Sequence, residues 1–172
     1  MSDIPSECSP FEVRLIHILR IALVVLSLAL SFLIVATVLM RYVFESPFLA
    51  IEEASTLIGS FLYFIGAAFV TATRTHITGG AMHVFIQSPN ARRIIVAFTT
   101  ALCLFVTIIS LYYAWKYTAF TFDRGRTSNY LRWPRGLWAC SMVVGFALMI
   151  LFQVLQLVRD VRSARTHDKG SA

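Results

Sequence analysis

The chain has 172 residues, of which 58% are apolar and only 14% charged, and its formal net charge is +6. Soluble domains carry roughly a quarter charged residues, so a water-facing surface is excluded for most of its length. Its basic residues stand at the ends of apolar runs rather than in one patch, which excludes a nucleic-acid footprint and points to lipid headgroups.

Four apolar runs of about 20 residues follow one another at 21–40, 54–73, 94–115 and 137–158, and none holds a formal charge. Twenty helical residues rise about 30 Å, the thickness of a bilayer's hydrocarbon core. The runs are apolar all round. The one-sided pattern of a soluble bundle and the alternation of a membrane barrel are both missing. A proline precedes each run (Pro10, Pro47, Pro89, Pro134), and Arg41, Arg74, Lys116 and Arg159 close them.

Before the first run, Ser9-Pro10-Phe11-Glu12 reads as a capping box with proline at the first helical position. The first helix is thus predicted to begin near Pro10. Phe11, Leu15, Ile18 and Leu19 then recur at helical spacing, as a solvated helix entry or as turns at headgroup level. The first run is too long for the apolar core of a signal peptide and lacks a small-residue cleavage site, so 21–40 is expected to be a retained span. The first loop is short and implies an antiparallel hairpin. Arg41 ends one helix and Glu52 and Glu53 begin the next, where the helix dipoles favour those charges. They serve the dipoles and headgroups, with one ion pair among them, or they form an interfacial pair with a partner subunit.

In the second run, Ser55, Gly59, Gly66 and Thr73 share one helical face. Small residues let another helix approach closely, either inside the four-helix domain or on a second membrane protein. Gly136, Cys140 and Ala147 repeat the pattern in the fourth run. The second connection, 75–88, holds Gly79-Gly80, His76 and His83. The third, 117–133, has a turn signal at Asp123-Arg124-Gly125. Its Arg124, Arg126 and Arg132 form a basic rim that faces lipid or an acidic soluble partner. Trp115, Trp133 and Trp138, with neighbouring tyrosines, form an aromatic belt that anchors one membrane face. Residues 165–172 read as a flexible tail.

The prediction is an all-α membrane protein with one domain over 1–172 and four transmembrane helices running up and down. Arg14, Arg20, Arg74, Arg92, Arg93, Arg159, Arg162, Arg165 and Lys169 fall on the side of the termini, nine cations against six on the other. The positive-inside rule then places both termini in the cytoplasm. Ionisable residues deep in a span mark ion or proton paths, and the runs contain none. His17, His76, His83 and His167 lie near span ends or in loops, which disfavours haem ligation. Cys8, Cys103 and Cys140 lack metal-ligand or redox-motif spacing. No catalytic residue, cofactor or metal is assigned, and the chain is not read as an enzyme. The competing readings are a self-assembling small membrane transporter and a four-helix membrane redox protein.

The ordered set Arg41-Tyr42-Val43-Phe44, Pro47, Glu52-Glu53, Gly66-Ala67-Ala68, Arg74 and His76-Ile77 resembles the small membrane subunit, of DctQ type, of tripartite ATP-independent periplasmic (TRAP) transporters. The matching stretch covers 36–77. Two positions depart from the usual pattern: Ala50 replaces an aromatic residue before the glutamate pair, and Thr78-Gly79-Gly80-Ala81 lacks the acidic residue that often follows His-Ile.

The resemblance implies a non-catalytic subunit of the bacterial inner membrane. It would brace a large multi-span permease and help dock a periplasmic substrate-binding protein. Uptake would be driven by an ion gradient, usually sodium, with the ion coupled in the large subunit. It also implies structural or interface roles for Arg41, Glu52, Glu53 and His76. The small-residue face of span two (Ser55, Gly59, Gly66) is expected to meet the large subunit, and the loop with Arg124, Arg126 and Arg132 to meet the binding protein.

Overall fold

A computed structural model of the chain describes residues 10–45, 49–73 and 89–168, with side chains placed over 12–45, 49–73 and 98–158. Four helices make up these residues: α1 (Pro10–Tyr42), α2 (Leu49–Ala72), α3 (Pro89–Asp123) and α4 (Gly136–Asp168). All four are long and apolar enough to cross a membrane. Among the described residues the only extended pairing is one bridge between Thr127 and Pro134.

Local chemistry sets the ends. Pro10 and Pro89 are the first helical residues of α1 and α3, where a missing N–H costs nothing. Gly125, in the left-handed region at φ 57°, turns the chain after α3. The turn expected at Asp123-Arg124-Gly125 is therefore present. Pro47 and the second connection with His76, His83 and Arg74 lie outside the described residues.

The helices overrun the predicted spans. α3 and α4 have 35 and 33 residues, so each is about 50 Å long at 1.5 Å per residue. α3 continues past Lys116 to Asp123, which moves Tyr117 from the expected loop onto the helix. α4 continues past Val158 to Asp168, so residues 165–168 of the expected tail are helical.

The helices stand in a row rather than a closed bundle. α4 packs on both α2 and α3, and α1 packs on α2. The spatial order is α1, α2, α4, α3. A Cβ at Gly59 would meet Leu30, and one at Gly66 would meet Leu23, so α1 and α2 run antiparallel. Gly145 of α4 lies against Phe64, and Gln156 reaches Thr71, so α4 and α2 run parallel. Gly136 lies against Phe122 while Gln153 meets Thr107, so α3 and α4 run antiparallel.

The buried core is small and lies toward the end of the molecule that holds the start of α1 and the ends of α2 and α4. Ile16, Leu19, Ala72 and Phe152 form it, with Leu15, Ile65, Phe69 and Leu148 around them. One side of the α1 entry, with Ile16 and Leu19, is buried in this core, and the other, with Arg14, His17, Ile18 and Arg20, stays exposed. Elsewhere apolar side chains point outward. Ile21, Val25, Leu28, Phe32, Val35 and Leu39 form an exposed stripe on α1 at heptad spacing. Apolar surface of that extent belongs against lipid or another membrane protein.

Candidate functional site

Two polar features interrupt this apolar row. The first is at the end where α1 hands over to α2. Arg41, in the last turn of α1, donates from Nη2 to Glu52 Oε1 at 3.2 Å. Both side chains are well exposed, at 53% and 40%, so the pair is a surface contact of small energetic weight.

Glu53 has a different role from its neighbour. Its carboxylate accepts the hydroxyl of Ser128, the N–H of Asn129 at 3.0 Å, that of Tyr130 at 3.3 Å and that of Leu131 at 3.0 Å. Successive backbone N–H groups converging on one anion make a nest. The turn of chain that forms it is closed by two backbone bonds: Ser128 N–H to Trp133 O at 2.7 Å and Arg135 N–H to Arg126 O at 2.8 Å. Arg132 sits there at φ 52°, a left-handed conformation that an L-residue adopts at a cost of about 1–2 kcal/mol. One glutamate on α2 therefore fixes the loop between α3 and α4. Sequence reasoning placed Glu53 beside Arg41 in the first hairpin; the partner is some 75 residues away in sequence, and no local pattern signals it.

That clamp positions the basic loop. Arg124, Arg126 and Arg132 are exposed, and Arg124 lies 4.8 Å over the ring of Phe120. Trp115, Trp133 and Tyr117 are exposed at the same end, at 65%, 42% and 57%, and Trp138 is half-buried at the start of α4.

The second feature is a groove. α2 and α3 flank α4, with no backbone approach between them among the described residues, and two cavities lie along their facing sides. One, of about 460 Å³, is bordered by Glu53, Ser60, Phe64, Arg135 and Trp138 among others. The other, of about 270 Å³, is bordered by Thr71, Thr100, Cys103, Thr107, Met149 and Gln153 among others. Gln153 and Gln156, both buried, carry amides into this interior. Gln156 Nε2 donates to the carbonyl of Thr71 at 2.7 Å, and Gln153 Nε2 donates to Thr107 Oγ1 at 3.3 Å. The absence of charge in the runs drew attention away from these two glutamines.

The small-residue positions divide. Gly59 and Gly66 face α1 at ordinary van der Waals distance, and the Ser55 hydroxyl donates to Ile51 O at 2.8 Å. In span four α4 closes on the backbone of α2 at Gly145: a Cβ there would lie 2.5 Å from Phe64 Cβ and 3.0 Å from its carbonyl oxygen. At Gly136 a Cβ would run into the Phe122 ring. Among the described residues no three His, Cys, Asp or Glu side chains gather as metal ligands would. His76 lies outside the described residues.

Residues 15–163 match the family described as the DctQ component of tripartite ATP-independent periplasmic transporters. The chain belongs to the DctQ family. The match extends well beyond the 36–77 stretch on which the resemblance first rested and reaches into all four helices. Comparison with curated proteins gives no match. The family makes this DctQ chain a transmembrane transport component.

Proposed function

We propose that this DctQ chain is the non-catalytic small permease subunit of a TRAP importer in the bacterial inner membrane, bracing the large transport subunit and helping to dock the periplasmic binding protein. The observation that carries this reading is the row. Among the described residues the four helices lie side by side and expose apolar side chains along their length. Such a slab serves as a fixed wall for a neighbour that moves. In this reading both termini face the cytoplasm, as the excess of Lys and Arg on their side favours. The Glu53 clamp then lies at the periplasmic face, and Arg124, Arg126 and Arg132 are held toward an acidic surface of the binding protein.

Gly59 and Gly66 contribute by seating α1, and Arg41 and Glu52 by joining the first hairpin. The coupling ion, sodium in this reading, belongs to the large subunit. Purification of the C-terminally tagged chain from its own membranes in mild detergent, followed by mass spectrometry, tests the assignment. A stoichiometric large multi-span protein is the expected companion. Recovery of the chain alone, under conditions that keep other membrane complexes intact, would return the self-assembling transporter to first place. Reversing Arg124 and Arg126 to Glu is expected to lower uptake while leaving that co-purification unchanged; undiminished uptake would remove the loop from docking.

A further inference from the structure

The larger cavity changes character along its length. On α2, Glu53, Ser60 and Phe64 border it in that order, on one face of the helix. From Glu53 to Phe64 that face descends about 16 Å, from the loop end toward the middle of the span. On the α4 side, Arg135, just before the helix begins, is followed by Trp138 and Met142. Both walls therefore run from charged at the loop end to apolar at depth. A bilayer has a gradient of the same direction here, because the exposed Trp115, Trp133 and Tyr117 set this end at headgroup level.

The two charges at the mouth are not equivalent. Glu53 is engaged by the nest of residues 128–131. Arg135 is held through its backbone: its N–H donates to Arg126 O at 2.8 Å, and its carbonyl accepts from Trp138 N–H at 3.2 Å. Among the described residues no carboxylate pairs with its guanidinium. The first turn of α4, which follows it, carries no acidic residue, so the positive end of that helix adds to the same field. A guanidinium offers its donors as a planar fork that matches a phosphate.

We propose that this cavity seats a glycerophospholipid, with its phosphate at Arg135 and one acyl chain descending past Trp138 to Phe64 and Met142. The charge at the mouth and the apolar depth together call for an amphiphile. Inorganic phosphate would use only the mouth, and an uncharged chain only the depth. The seat requires only a membrane-spanning chain and stands apart from the subunit assignment above.

Photolabelling tests it on the full chain, purified from its own membranes in mild detergent with whatever companion it retains. The probe is phosphatidylglycerol with a diazirine on one acyl chain, and labelled peptides are mapped by mass spectrometry. Labelling at Phe64 or Met142 is expected. Unlabelled phosphatidylglycerol should suppress it, and neither a diacylglycerol of the same chains nor inorganic phosphate should. Arg135→Gln should lower this labelling several-fold, and Lys116→Gln, which removes a cation at the same end but outside the cavity, should not. Ser60→Phe narrows the cavity with Arg135 intact and should lower it as well. Equal suppression by the diacylglycerol, or full labelling of Arg135→Gln, would overturn the phosphate contact. Suppression by inorganic phosphate would replace the lipid with a free anion. Labelling no stronger at Phe64 and Met142 than at Leu28 and Phe32 on the α1 stripe, or unchanged by Ser60→Phe, would overturn the seat and leave only lipid of the surrounding bilayer.

Discussion

Glu52 and Glu53 are adjacent, acidic and in the same helical turn, yet they differ in what depends on them. Glu52 holds one exposed arginine, whereas Glu53 holds a loop. Glu53→Ala removes the acceptor from four donors at once. Faster hydrogen exchange at the amides of Asn129, Tyr130 and Leu131 is expected, and unchanged protection there would show that the loop is held by its own backbone bonds. Arg41→Ala, by contrast, breaks a surface pair and should change stability by no more than ~1 kcal/mol, read by thermal unfolding in detergent. Gly145→Ala should be the costlier of the two small changes. The added methyl meets the backbone and Cβ of Phe64, and overpacking of that kind costs about 1–3 kcal/mol. A thermal midpoint equal to that of the unsubstituted chain would mean that α2 and α4 separate freely at this level.

At the scale of the helices, α2 is the shortest at 24 residues and depends on its neighbours at both ends. Its first turn supplies Glu53 to the loop before α4. Its last turn leaves carbonyls with no intrahelical donor, and Gln156 of α4 supplies one, reaching Thr71 O and Ala72 O at 2.7 and 3.4 Å. α4 therefore caps α2 from the side. Gln156→Leu removes that cap and should cost about 1 kcal/mol, the usual scale of a hydrogen bond between membrane helices. Amide exchange at the end of α2 should rise with it. Loss of stability without faster exchange there would assign the effect to packing around Phe152 instead.

For the whole molecule, the row of helices decides what the subunit can do. An order of α1, α2, α4, α3 puts α1 and α3 at the outside and leaves the centre to α2 and α4. The contacts between helices also bring the start of α1 and the end of α4 to one end of the row. In the orientation that the excess of Lys and Arg favours, a fluorescent protein fused to the C-terminus should fluoresce in the cytoplasm, and alkaline phosphatase inserted at Asn129 should be active in the periplasm. The opposite pair of results would turn the molecule over and put Arg124, Arg126 and Arg132 out of reach of a periplasmic binding protein.

The sequence by itself determined the helices. Four uncharged runs of bilayer length leave a backbone no partner but itself, so their number, approximate position and helical state were legible from hydropathy alone. The family was legible too, from an ordered set of residues around the first hairpin, and Arg41 and Glu52, close in the chain, were legible as a possible pair. What only the tertiary structure decided are the relations between distant residues. The row order, the turn of Gly59 and Gly66 toward α1, the approach of Gly145 to Phe64 and the bond from Glu53 to residues 128–131 all join positions far apart in sequence. The physical reason is that a transmembrane run is apolar on every side, so its pattern does not mark which face packs on protein and which meets lipid. The choice is made by small residues and a few neutral amides, Gln153 and Gln156 among them, whose hydrogen bonds exist only once the helices are side by side.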